Sequence, residues 1–395
     1  MYLTSFIHRD DLFDLAERWL CGRLEPDDGL RITQILICDD FVLAETVERF
    51  ARLLIEITYG CPFRQKRIAF KGDLRDAICR SARDRNPRVE ELVSLYGQNP
   101  EFFYREAPIK GVMYLDEAQC LLGLSRLKRP RRIAEKANRY VANWIFRMVQ
   151  RRAQEMAERR AREYAVPLDK LISPREVMER EFVAAEKAIA QQFKDGTIRL
   201  DREALTIHDV GGVKIVAHAE RLAGLDRALA HHGQVNVVEK TMFSGNYQAM
   251  SAIIQVPWDP EDVCRSYLES RGWESYLNRG IPEAELRKGL EPFLKGARPN
   301  LNLELIFSTF PDVVESELGN SLHEERIIAQ RDNKVYQGYV PMNVEFLIEY
   351  LFAVGLSPQV SIGSLPVKLW GRYLPDTIVD EIRALYCVPG SGQPF

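Results

Sequence analysis

The sequence predicts an α+β fold: a helical N-terminal region followed by a sheet domain with helices around it. Two observations predict this. Up to about residue 165 apolar residues recur at three- and four-residue steps, and from about Ile172 short apolar runs alternate with helical stretches. The expected organisation is a mainly helical segment 1–168, a sheet domain 169–340 with a helical insertion at about 260–297, and a helical extension 341–395 ending in the loose VPGSGQPF.

Taken in order, Phe41, Leu43, Val47, Phe50, Leu53, Leu54 and Ile57 form the stripe of a half-buried helix. A second helix is expected near GDLRDAICRSA. A third opens near Pro130, a residue suited to a first helical turn, and runs to about 164. Between Arg126 and Arg162 it carries thirteen Arg or Lys against three Glu, a local charge of +10 on a chain of net −3. Such a run reads either as a solvated helix face laced with i, i+4 pairs or as a surface for polyphosphate or RNA, because guanidinium forks match phosphate oxygens. Ser173 and Pro174 then open a helix through SPREVMEREFVAAEKAIAQQF, as N-cap and first-turn proline. Strands are expected in HDVGGVKIVAHA, QVNVVEKTMF, QAMSAIIQVPW and NLNLELIFST, with a helix in FPDVVESELGNSLHEERIIAQ.

Composition sets limits. At 46% hydrophobic and 28% charged the chain is ordinary for a globular protein, and its net charge names no partner. Seven scattered cysteines with no C-x-x-C pair argue against a disulfide scaffold or a thiolate zinc site. The N-terminus lacks the layout of a signal peptide, and no apolar run reaches a membrane span, so a cytoplasmic protein is expected, with no membrane partner. No Walker loop, G-x-S-x-G or G-x-G-x-x-G occurs. His208 and Asp209 form an HD pair without the further histidine and aspartate of the HD metal hydrolases, and the adjacent His231 and His232 suit a helix end.

Chemistry concentrates in the sheet region. Asp209 precedes Gly211, Gly212 and the run Val213–Val216, where missing side chains leave room for a metal ion or phosphate. Lys214 has opposite parity to Asp209 on a regular strand, so a shared site requires a bend at the two glycines. On the strand NLNLELIFS, Leu301, Leu303, Leu305 and Phe307 point one way and Asn302, Glu304, Ile306 and Ser308 the other. An ionised Glu304 on that face needs partners. Tyr247, between a turn and a strand, is placed either to stack on a base or to fill a core.

In this order the three pieces resemble the synthetase domain of the RelA/SpoT-type alarmone synthetases, a branch of the nucleotidyltransferase fold. DVGGVKIV is similar to D-x-x-x-[VI]-R-[VI], NYQAMS to G-Y-Q-S-L-H, and ELIFST to E-V-Q-I-R-T. Glu304, Glu317, Gly319 and His323 fall at the spacing E-x12-E-x-G-x3-H. The resemblance covers roughly residues 170–335. It implies a mixed sheet flanked by helices, Mg²⁺ and ATP, and transfer of pyrophosphate to the 3′ hydroxyl of a guanine nucleotide. It further implies that Asp209 and Glu304 are the catalytic and metal-holding carboxylates, that Tyr247 and Gln248 contact the nucleotide, and that Glu317, Gly319 and His323 support the site. Lys214, Lys240, Arg180 and Lys187 are the basic candidates for nucleotide contact.

Ser251, Asn246 and Ser308 depart from the pattern. The family's R-x-K-S element, which grips the ATP phosphates, finds no clean counterpart near LISPREVMER, so the basic helix or Arg175, Arg180 and Lys187 are expected to supply its charge. Two other functions fit the same pieces: a pyrophosphokinase acting on an RNA 3′ end through the basic helix 126–164, and a catalytically silent nucleotide- or protein-binding relative.

Overall fold

The computed structural model describes residues 1–81, 84–243, 249–319 and 338–387. In chain order, β1 (Tyr2–Leu3) leads to α1 (Arg9–Leu20) and the long α2 (Asp28–Tyr59), which stops at the left-handed Gly60. Next come β2 (Arg64–Phe70), α3 (Lys71–Arg80), α4 (Pro87–Gln98), β3 (Pro108–Leu115), β4 (Leu121–Leu127) and α5 (Pro130–Glu163). Helix α6 (Arg175–Lys194) precedes β5 (Thr206–Ile207), β6 (Gly211–Val216), α7 (Ala219–Ala230), β7 (Asn236–Phe243) and β8 (Ala249–Pro257). The insertion holds α8 (Pro260–Glu269) and the short α9 (Glu283–Leu286). The chain ends with β9 (Asn300–Ser308), α10 (Phe310–Leu318), α11 (Tyr339–Leu356) and α12 (Pro375–Ala384).

The fold is α+β, with one seven-stranded mixed sheet in the order β2-β3-β4-β6-β9-β8-β7. Neighbouring strands are antiparallel except β6 and β9, which run parallel. A separate parallel pair, β1 with β5, ties the N-terminus to the residues just before Asp209.

Segment 1–168 is mainly helical, as expected, but it also builds part of the sheet. Three of the seven strands precede residue 130, and β4 pairs directly with β6 across the expected boundary at 168. The physical reason is local. In β2, RQKRIAF, only Ile68 is buried, so no apolar alternation betrays the strand, while GVMYL and LLGLS are short apolar runs whose period is ambiguous.

Strand β9 alternates as the period of two requires. Leu301, Leu303, Leu305 and Phe307 are buried in the main core with Val213 and Ile215, on the side that α2 covers. Each fully buried Leu contributes roughly 1.5–3 kcal/mol relative to exposure. The other face is covered at the β2–β4 end, where Ile68, Met113, Leu124 and Val216 meet Leu74, Val313 and Val314 of α3 and α10. Helix α11 is the described helix long and apolar enough to cross a membrane; it is mostly buried, packed against α2 and α5.

Candidate functional site

Asp209 lies one turn of chain before β6, on a segment fixed from both sides. Thr4 Oγ1 is 2.9 Å from His208 Nδ1, Ser5 Oγ donates to the His208 carbonyl at 3.1 Å, and the Lys128 amide donates to the Val210 carbonyl at 2.8 Å. The parallel register then sets Gly212 beside Glu304, and the antiparallel one sets Arg126 beside Gly212. Arg126, Gly212 and Glu304 therefore form one row across three strands, all on the same face. Gly212 is the gap in that row. A Cβ there would stand 2.7 Å from the Glu304 carbonyl oxygen and 3.2 Å from its Cβ, so only glycine lets the strands approach while leaving the face open.

Two ammonium groups meet Asp209. Lys136 Nζ donates to both carboxylate oxygens, at 2.7 and 2.8 Å, and Lys128 Nζ bonds its carbonyl and pairs with its carboxylate. Burial alone would raise the Asp209 carboxyl; the charges of Lys128 and Lys136 more than offset it and bring it to about 2. Burial also pushes the Lys128 ammonium down, opposed by Asp209. Glu304 behaves oppositely. Burial, then the charge of Asp209, pushes its carboxyl above the usual range against the pull of Lys128 and of the Ser251 hydroxyl, which donates at 3.2 Å. Two neighbouring carboxylates thus have their titrations driven apart.

Further along the same face, Glu317 is buried and accepts from Arg126 Nη2 at 2.8 Å. Its backbone carbonyl accepts from Arg75 Nε at 2.9 Å. Lys214 Nζ donates to Ser316 Oγ at 3.3 Å, and its ammonium is pushed down by burial while Glu317 opposes that shift. Lys214 therefore belongs to the Glu317 group rather than to Asp209. The expected bend is not needed: Lys214 shares the face of Gly212 and Glu304 by ordinary parity, and Asp209 reaches it from outside the regular strand.

Several expectations are corrected. Arg180 hydrogen-bonds the Glu176 carbonyl of its own helix, Lys187 lies over the Trp370 ring at 5.3 Å, and Lys240 pairs with Asp226 of α7 at 2.6 Å. The partners of Arg180 and Lys187 are thus on α6 itself and at Trp370, and Lys240 shares the core-side parity of its neighbour Ala252, away from the face of Glu304. Helix α10 stops at Leu318, so Gly319 is its C-cap, where a Cβ would meet the Glu315 carbonyl oxygen at 2.6 Å. Tyr247, Gln248 and His323 lie outside the described residues. At α7 the end-capping expectation holds, with His231 Nδ1 2.8 Å from the Arg227 carbonyl.

The sequence offered the basic run 126–162 as a source of charge without singling out members; Arg126, Lys128 and Lys136 are the ones that the fold brings to the carboxylates. Strand β4 and the first turns of α5 carry them onto the carboxylates, where a counterpart to the R-x-K-S element was sought near residue 174 and not found. A signal was present: Arg126-Leu127-Lys128 has the R-x-K spacing. It went unread because the segment passed for the start of a basic helix. The remaining cations of that run divide, with Arg152 and Arg160 bound to Glu155 and Glu181 and Arg147, Arg151 and Arg159 exposed.

Two carboxylates are the donor count by which proteins commonly hold Mg²⁺ together with substrate phosphates, so Asp209 and Glu304 fit that ion. The two ammonium groups on Asp209 must turn away for it to bind, and phosphate oxygens are their natural alternative partners. No family model, curated protein or solved structure matches the chain.

Proposed function

We propose that this chain is a divergent RelA/SpoT-like pyrophosphokinase that transfers pyrophosphate from ATP to the 3′ hydroxyl of a guanine nucleotide. The observation that carries the reading is the convergence of Asp209 and Glu304 with Arg126, Lys128 and Lys136 on one sheet face. Transfer of this kind needs no protein nucleophile. It needs phosphates and hydroxyl held in line and negative charge neutralised as it builds.

In this reading Lys128 and Lys136 leave Asp209 for the polyphosphate, joined by Arg126, and Asp209 and Glu304 together would hold Mg²⁺. The ion, when bound, supplies charge neutralisation on the phosphate oxygens. Glu304, with its raised carboxyl and the Ser251 hydroxyl to orient it, takes the proton from the acceptor hydroxyl. Tyr247 stacks on the acceptor base and Gln248 contacts it, as the resemblance implies.

The acceptor could instead be an RNA 3′ end. The observation favouring it is that Arg147 and Arg151, one turn apart on α5, are exposed and make no ion pair among the described residues. The test is to offer labelled ATP and Mg²⁺ with GDP, GTP and bulk tRNA in separate reactions, with Asp209→Asn as the blank. Label on GDP or GTP that disappears in the variant supports the first reading, and label on tRNA the second. No transfer together with no ATP binding would identify a silent relative, in which the lysines keep Asp209 permanently neutralised.

A further inference from the structure

A second cluster lies on the helical side of the sheet. His8 is the residue before α1, and Cys38 and Asp39 sit in the middle of α2. All three are essentially inaccessible, and one ligand atom from each can be chosen so that all lie within 4.8 Å of one another. His8 Nδ1 is 2.6 Å from Asp39 Oδ1, and the His8 amide donates to Asp39 Oδ2 at 3.1 Å. The other ring nitrogen, Nε2, is buried with no hydrogen-bond partner. A pair serving only to pin the N-terminus to α2 accounts for the two hydrogen bonds. It accounts for neither the orphaned nitrogen nor the thiol alongside.

We infer that His8, Cys38 and Asp39 form a buried structural site for a divalent ion of the zinc class, separate from the Asp209–Glu304 face. Imidazole, thiolate and carboxylate are the donor types zinc takes, and ligand atoms about 3.4 Å apart are what a tetrahedral shell near 2.1 Å requires, so the 2.6 Å hydrogen bond between His8 Nδ1 and Asp39 must open as the ion enters. The charge balance favours burial. The cluster without metal is neutral as imidazolium, carboxylate and thiol; the ion enters as the imidazolium and thiol each release a proton to solvent, and the ion, thiolate and carboxylate again sum to zero beside a neutral imidazole. Because the site is closed, the ion must enter as the chain folds.

The experiment is elemental analysis of the full chain, produced with zinc in the medium and purified without a metal-affinity step, followed by refolding in Co²⁺. The expected result is about one zinc per chain, and in cobalt a thiolate-to-metal charge-transfer band in the near ultraviolet. Cys38→Ser should abolish the band, and His8→Gln should lower metal content at least about tenfold. A folded wild-type chain free of metal, or cobalt bound without the thiolate band, overturns the inference. The wild-type measurements decide it even if both variants fail to fold.

Discussion

At the scale of residues, the account rests on Lys128 and Lys136 having two sets of partners. Without substrate they neutralise Asp209; with ATP they are assigned to its phosphates. Hydrogen bonds to charged groups contribute about 1.5–3 kcal/mol, so loss of one should weaken ATP binding by roughly ten- to a hundredfold. Lys136→Ala is therefore expected to raise the KM for ATP about tenfold or more while leaving that of the acceptor nearly unchanged, with Lys136→Arg recovering part of the loss. Steady-state kinetics on both substrates measures this, and an unaltered KM for ATP would remove Lys136 from the phosphate site. Glu304 was legible beforehand, because a carboxylate on an apolar strand demands a reason. Lys128 and Lys136 were not, since one lysine among thirteen cations carries no mark of the fold that will turn it inward.

At the scale of elements, α3 and α4 cover part of the face that carries the site, and a polar joint holds them. Arg105 donates to both Asp76 oxygens, at 2.6 and 2.9 Å, and the Tyr96 hydroxyl donates to Asp76 at 2.7 Å. The Arg105 hydrogen bonds, against a smaller effect of burial, hold the Asp76 carboxyl below its ordinary range. A lowered carboxyl contributes stability that is complete above the unfolded value, about 3.9, and is lost as pH falls through the folded one. Between pH 5 and pH 3 the wild-type chain should lose more stability than Asp76→Asn in urea unfolding; equal losses would show that the joint contributes nothing. Elements were legible where their pattern was one-sided: α5, β8 and β9 stand close to the expected places. Strand β2 was not, because it is an edge with exposed Arg64, Lys66 and Arg67.

At the scale of the whole molecule, the sheet makes one unit of what the sequence divides in two. Strand β4 reaches β6 across 83 intervening residues, from Lys128 to Val210, and that pairing brings the cations of one half to the carboxylates of the other. Sequence period reports burial within an element and says nothing of which distant strand will be its neighbour. Which cations of the basic run would join the site was hidden for that reason, while the carboxylates, just ahead of β6 and on β9, were in view. The central claim, that this shared face breaks the bond between the α- and β-phosphates of ATP, is tested most directly by following AMP. With Mg²⁺, ATP labelled at the γ-phosphate and the acceptor that takes label, AMP and labelled product should appear one for one, and Asp209→Asn should slow both by at least about a hundredfold. Release of ADP in place of AMP, or AMP release that survives Asp209→Asn, would contradict the account.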